Sequence, residues 1–176
     1  MKVIIVRHAQ TDENVGGGGL AVRTSEVLLN SEGILQAQKL GEHLKGEKIS
    51  YAYASPQKRA VHTAEHILRH HPHITMRYVE DLREQDKKGG ESRVQLQARS
   101  TKFFHELSQQ HPNDTVLVVS HGGTLGVLLL HILEKELTEE NYRAHQPKNT
   151  EYTMVEIFDD GKKKIHSLNS RQHLDG

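Results

Sequence analysis

Val116-Leu117-Val118-Val119-Ser120-His121-Gly122-Gly123 sets an apolar run directly before a serine, a histidine and two glycines. A run of that length and β-branched content makes a strand buried on both faces. Val3-Ile4-Ile5-Val6-Arg7-His8 repeats the arrangement near the start of the chain. Strands buried on both faces belong to parallel sheets covered by helices. In open sheets of that kind, ligand crevices form beyond the carboxyl ends of the strands. Two histidines and an arginine delivered to one crevice point to chemistry on an anion.

The rest of the chain alternates strand and helix patterns. Residues 2–6 and 49–54 read as strands. Residues 31–44 read as a helix with Ile34, Ala37, Leu40 and Leu44 on one face and Asn30 or Ser31 as its cap. A second helix pattern spans 57–70, with Ala60, Ala64, Ile67 and Leu68 at helical spacing. A strand follows at 74–79, and then a helix at 92–110 that aligns Leu96, Phe103 and Leu107. Residues 123–134 are apolar nearly all round, as in a helix sunk into the core. Two late strands, 152–158 and 163–168, flank the turn Asp159-Asp160-Gly161 and pair as an antiparallel hairpin at one edge. The expected fold is a three-layer α/β/α domain over 1–176, with a mostly parallel sheet and an antiparallel edge strand. Gly16–Gly19 and Gln85–Glu91 read as flexible loops, and the tail from Asn169 reads as loose.

Composition narrows the function. The chain has 176 residues, and Lys+Arg and Asp+Glu balance at 23 each, so no net field recruits nucleic acid or an anionic membrane. Any anion site must be local. With no cysteine there is no disulfide framework, thiol nucleophile or thiolate metal site. No apolar run approaches the roughly 20 residues needed to span a bilayer, and Met1-Lys2 leads straight into a strand. A cytoplasmic protein is the expectation, and the sequence sets no oligomeric state.

Most of the 14 histidines have the ordinary reading of surface or satisfied helix residues. His8 and His121 differ because each ends a core strand beside polar or glycine residues. Arg7, at the end of a buried strand, is costly unless its guanidinium meets an anion, and its fork matches phosphate. Ser55-Pro56-Gln57-Lys58-Arg59 opens the next helix, placing Arg59 on its first turn. Leu82-Arg83-Glu84 follows the 74–79 strand. The glycines after His121, Gly122 first, leave N–H groups free at a helix start, where anions bind.

In their order these pieces resemble the histidine phosphatases, the phosphoglycerate mutase-like superfamily. The family's Arg-His-Gly-x-Thr-x-x-Asn stands here as Arg7-His8-Ala9-Gln10-Thr11-Asp12-Glu13-Asn14. Its Ser-Pro-x-x-Arg-Ala-x-x-Thr-Ala is Ser55 to Ala64, its Leu-x-Glu is Leu82 to Glu84, and its Gly-Glu-Ser is Gly90-Glu91-Ser92. Its Ser-His-Gly-Gly is Ser120 to Gly123, its Gly-x-x-Gln-Ala is Gly33 to Ala37, and Asn149-Thr150 matches the asparagine before the late strand. The resemblance covers roughly residues 3–157.

Position by position, it implies that His8 is a nucleophile that forms a phosphohistidine. Arg7, Arg59 and His121 would bind the transferring phosphoryl group, with Asn14 and Gly122 assisting, and Glu84 would be the proton donor. A charged His121 and two arginines would supply the charge without a metal or other cofactor. The nearby arginines would favour the free-base form of His8, and a strand-end carbonyl would hold its other ring N–H.

Three departures stand out. Ala9 replaces the usual glycine, and four glycines occupy the stretch that normally brings a basic residue, with Arg23 as a stand-in. Glu84 and His121 are only 37 positions apart. Mutases of this family carry a longer covering insertion there, so a short lid favours water as acceptor. The implied activity is hydrolysis of a small phosphorylated substrate: a sugar phosphate, a phosphoglycerate, α-ribazole phosphate or protein phosphohistidine. Lys87, Lys88 and Arg93 could add preference for a second acidic group. A mutase-type phosphotransferase and a non-catalytic phospho-ligand sensor are the alternatives. A metal-binding protein using His62, His66 and His70 is a further one, set against a plain polar helix face.

Overall fold

Strand β1 (Lys2–Arg7) carries Val3 and Ile5 on one face of the sheet and Ile4 and Val6 on the other, and all four are buried. β4 (Thr115–Ser120) repeats the alternation with Val116 and Val118 against Leu117 and Val119. That double burial is why both strands read as unbroken apolar runs. This computed structural model describes residues 1–16 and 26–175. In chain order the other elements are α1 (Asp12–Val15), α2 (Ser31–Leu44), β2 (Tyr51–Ala54), α3 (Lys58–Leu68) and β3 (Met76–Tyr78). After β3 come α4 (Arg93–Gln110), α5 (Gly122–Ile132), α6 (Glu139–His145), β5 (Tyr152–Ile157) and β6 (Lys163–Ser170), with 3-10 turns at Glu80–Leu82 and Gln172–Leu174.

The six strands form one sheet in the order β3-β2-β4-β1-β5-β6. The first four are parallel, β5 runs against β1, and β6 returns against β5 as the outer arm of the late hairpin. Leu40 and Leu44 of α2 and Ala60, Ala64 and Ile67 of α3 cover one face. Phe103, Phe104 and Leu107 of α4 and Leu125, Leu128, Leu129 and Ile132 of α5 cover the other. The result is the expected three-layer arrangement. β1 and β4 lie side by side with Arg7 opposite Ser120, yet the chain leaves β1 toward α2 and leaves β4 toward α5 on the opposite face. The crevice between those two exits is where a ligand fits an open α/β sheet.

Several boundaries match the sequence reading, including α2, which Asn30 caps by accepting from Gly33 N–H at 2.8 Å. β3 is shorter than its apolar pattern, at three residues on the sheet edge. α6 escaped notice because only Tyr142 is buried in its seven residues, too little for a period. The tail is not loose. Residues 169 and 170 extend β6, with Asn169 N–H donating to Thr153 Oγ at 3.0 Å. The final 3-10 turn then buries His173, whose Nε2 lies 3.0 Å from Thr150 Oγ. Polar burial leaves no hydrophobic signature, which is why the tail looked free. Gln85–Glu91 is tied as well: Gly89 N–H donates to Asp86 Oδ1 at 2.7 Å and Asp86 N–H to Glu91 Oε2 at 2.9 Å. Gly17–Gly19 and Arg23 lie outside the described residues. Among the described residues no helix is long and apolar enough to cross a membrane.

Candidate active site

His8 stands just past β1, held to β4 by its own N–H donating to the Ser120 carbonyl at 2.9 Å. Its Nδ1 lies 2.8 Å from the Ala9 carbonyl. A carbonyl only accepts, so Nδ1 carries the ring proton and Nε2 is left to present a lone pair. The carbonyl is that of the next residue, two positions beyond the end of β1. Ala9 keeps a negative φ and is fully buried, so the absent glycine costs no backbone strain here. Its N–H donates to Thr63 Oγ at 2.9 Å, and that hydroxyl donates to the Arg59 carbonyl at 2.7 Å. One α3 side chain therefore couples the His8 loop to the turn that carries Arg59.

His121 begins α5 and is wholly buried, with its ring centroid 5.1 Å from that of His8. Its Nε2 lies 2.8 Å from Ser55 Oγ, which also accepts from Gln57 N–H at 3.3 Å. With the serine hydroxyl donating to Nε2, the ring proton of a neutral His121 sits on Nδ1, which is buried and has no hydrogen-bond partner among the described residues. Burial first, then the charges of His8, Arg59, Arg7 and Arg99, push the His121 pKa well below its ordinary value. The protein's own groups thus favour the neutral ring over the charged one expected from the resemblance. A desolvated imidazole among cations favours its neutral form, which keeps one ring N–H to donate.

Arg7 donates from Nη1 to the Pro147 carbonyl at 2.7 Å, and Arg59 is buried on the first turn of α3. A Cβ on Gly122 would stand 3.1 Å from the Arg7 Cζ. Gly122 thus makes room for the guanidinium against the start of α5. Asn14 is held through its oxygen, the end of the amide that would not meet an anion. Its Oδ1 accepts from Thr11 N–H at 3.0 Å and from Asn149 Nδ2 at 3.1 Å, while Asn149 also donates to the His8 carbonyl at 2.9 Å. Asn14 caps α1 and clamps the loop before β5. That loop ends at Thr150 with φ 56, a strained value for a β-branched residue.

Glu84 arrives from the opposite wall, on the loop after β3. Its carboxylate accepts from Gln85 N–H at 2.9 Å and from the N–H groups of Gly123 and Thr124, each at 3.2 Å, at the start of α5. A Cβ on Gly123 would come within 2.3 Å of Glu84 Oε1, so only glycine admits this contact. Gln57 Oε1 accepts from Glu84 N–H at 3.0 Å. A 290 Å³ cleft beside the carboxylate is lined by Gln85, Lys87, Arg93, Glu139, Tyr142 and Gln146, among others. Lys88 does not line it. Ser55 and Thr63 stand in the sequence as motif positions without an assigned role, and Thr124 and Arg99 stand outside every motif. Arg99 was the legible one, being an arginine on the Leu96–Phe103 stripe of α4.

The pattern of the histidine phosphatase superfamily, branch 1, matches residues 3–88 and 85–171. The chain belongs to that superfamily. A "probable phosphatase" of Schizosaccharomyces pombe is 28% identical over 99% of this chain and 96% of its own length. Phosphoserine phosphatase 1 of Hydrogenobacter thermophilus is 25% identical over 99% of this chain and 94% of its own. The crystal structure of an Entamoeba histolytica phosphoserine phosphatase with 3-phosphoglyceric acid superposes with a TM-score of 0.82, at 26% identity and 98% coverage of both chains.

Like those relatives, this histidine phosphatase has an α/β fold with a mixed, mostly parallel sheet. Among the described residues no three His, Asp or Glu side chains converge as a metal site. The row His62, His66, His70 is interrupted because α3 ends at Leu68.

Proposed function

We propose that the protein hydrolyses small phosphomonoesters, without a metal, through a phosphohistidine on His8. The observation that supports this most is the Nδ1–H···O=C bond of His8 to Ala9, which places the ring's lone pair on Nε2, beside a neutral His121 and two arginines. In the first step the Nε2 lone pair forms the P–N bond while the P–O bond to the alcohol breaks. Glu84 gives the leaving oxygen its proton. Arg7, Arg59 and the His121 Nδ1–H carry the charge on the equatorial oxygens. In the second step water gives its proton to Glu84 and attacks phosphorus, the P–N bond breaks and phosphate leaves.

The short span from Glu84 to His121 supports water rather than a second phosphate ester as acceptor. The polar cleft beside Glu84, with Lys87 and Arg93 on its wall, suits a compact and hydrophilic alcohol. Two relatives are named phosphoserine phosphatases, which makes a phosphorylated hydroxy amino acid the first substrate to try. A cytoplasmic setting accords with the cysteine-free chain.

Phosphate release from p-nitrophenyl phosphate and from a panel of metabolites, measured in EDTA, tests the reading. His8→Ala is expected to lower turnover by about 10³-fold or more. Wild-type protein quenched during turnover should carry acid-labile, base-stable phosphate on His8. Steady turnover by His8→Ala would refute the mechanism.

A further inference from the structure

Arg99, on the inner stripe of α4, spends its whole guanidinium on the loop that bears Glu84. Nε and Nη2 grip both oxygens of Glu91 at 2.6 and 3.1 Å. Nη1 donates to the Asp81 carbonyl at 2.5 Å, and Nη2 also reaches the carbonyls of Arg83 at 2.9 Å and Glu84 at 3.4 Å. Glu91 closes the far side of the same loop. Its Oε2 accepts from Asp86 N–H at 2.9 Å, and its carbonyl accepts from Gln85 Nε2 at 2.8 Å. The Arg99 bond also holds the Glu91 carboxyl below the usual carboxylate range. The chain on both sides of Glu84, residues 81–86, is thus stapled to α4 by one ion pair.

β3 cannot do this work. It is an edge strand of three residues, and the 3-10 turn after it buries only Leu82. Besides the contacts of the Glu84 carboxylate with the Gly123 and Thr124 N–H groups, the loop has single bonds: Ser120 Oγ donates to the Leu82 carbonyl, Thr124 Oγ donates to the Arg83 carbonyl, and Gln57 Oε1 accepts from Glu84 N–H. A fork with five donors in one plane can serve a carboxylate and several carbonyls at once, whereas an ammonium is a single point charge. Both partners are about four-fifths shielded from solvent, so the pair is screened little and its geometry is held.

We propose that Arg99, locked by Glu91, is the positioning residue for the Glu84 carboxyl group. It sets the register between Glu84 and the departing alcohol oxygen without touching substrate. The assignment rests on the reading of Glu84 as proton donor, and its signature is a loss that depends on the leaving group. An alkoxide needs protonation and p-nitrophenolate does not. A carboxyl displaced by about 1 Å therefore costs rate only where protonation matters.

The test compares glycerol phosphate with p-nitrophenyl phosphate. Arg99→Gln is expected to lower kcat on glycerol phosphate by about 10- to 100-fold with little change in KM, and to change p-nitrophenyl phosphate turnover by less than about threefold. Arg99→Lys should show the same selectivity, because charge without the fork does not staple the loop. Glu91→Gln should show it more weakly. In a Glu84→Gln background Arg99→Gln should cost nothing further, since there is no acid left to place.

Equal losses on both substrates, or a loss that persists in the Glu84→Gln background, would assign Arg99 to general structure instead. If Arg99→Gln does not fold, as judged by thermal melting, Arg99→Lys and Glu91→Gln decide the matter by the same ratio. Selectivity in Glu84→Gln but not in the Arg99 and Glu91 variants overturns this assignment alone. A wild-type protein that hydrolyses neither ester, or a Glu84→Gln variant without selectivity, overturns the reading of the site and this assignment with it.

Discussion

The two walls of the site are built to different standards. His8, Arg7 and His121 hang from β1 and β4, central strands buried on both faces, and Arg59 is tied to them through Thr63. Glu84 hangs from a loop beyond an edge strand of three residues; its carboxylate meets the Gly123 and Thr124 N–H groups, and its backbone owes its place to side chains: Gln57, Ser120, Thr124 and above all Arg99. In the proposed reaction, phosphoryl binding would rest on the core of the fold, and proton donation on a surface-side scaffold. The contrast teaches where variation in leaving group can be accommodated without disturbing the anion site.

Arg59→Met strikes the strand-anchored wall and should be the most damaging of the changes that follow. It removes charge that stabilises every phosphoryl transfer, so both p-nitrophenyl phosphate and an alkyl phosphate should lose about 10²- to 10³-fold in kcat. A loss confined to one of them would break the division of labour. Glu84→Ala strikes the other wall and should cost about 10²-fold on alkyl phosphates and little on p-nitrophenyl phosphate. The ratio of the two rates is the quantity to measure.

Gly123→Ala should act as a milder version of the same lesion. Its Cβ would come 2.3 Å from Glu84 Oε1, so the carboxylate must swing away from the start of α5. About a tenfold loss on alkyl phosphates is expected, with near-normal p-nitrophenyl phosphate turnover.

The smallest effect concerns stability. Burial, then the charges of His43 and Arg171, lower the His173 pKa to about 4. The unfolded chain, with histidine near 6.5, binds more protons over the interval between the two values. Stability should therefore fall as pH drops from about 6.5 toward 4, and His121, lowered by its own burial, should add to the same slope. His173→Asn should flatten that decline in melting temperature without altering the leaving-group ratio. An unchanged slope would remove His173 from the account.

What could be read in advance follows the same division. The apolar runs of β1 and β4, the cap at Asn30 and the apolar α5 are local patterns, and they gave the layers and the position of His8, Arg7 and His121. Side chains that work through a long-range bond to backbone leave no such pattern. Arg99 lies 15 residues from Glu84 in sequence and shows only as an arginine on an apolar stripe. The neutral state of His121 depends on burial among three arginines from three different elements, which no spacing along the chain encodes. Asn14 matched its motif position, but its oxygen is committed to Thr11 and Asn149.

Thr63 carries a consequence for the direction in which the molecule can yield. Its single hydroxyl oxygen sits between the Ala9 N–H and the Arg59 carbonyl, so β1's exit and the first turn of α3 behave as one solid block. Parting His8 from Arg59 would break both of those bonds, whereas the Glu84 side is held by bonds from a loop. Widening of the crevice is therefore expected on the side of Glu84 and α6. In the proposed reaction the alcohol leaves first and the phosphoryl group stays behind on His8. The wall that gives is the one the alcohol passes, and the wall that does not keeps phosphorus aligned for water.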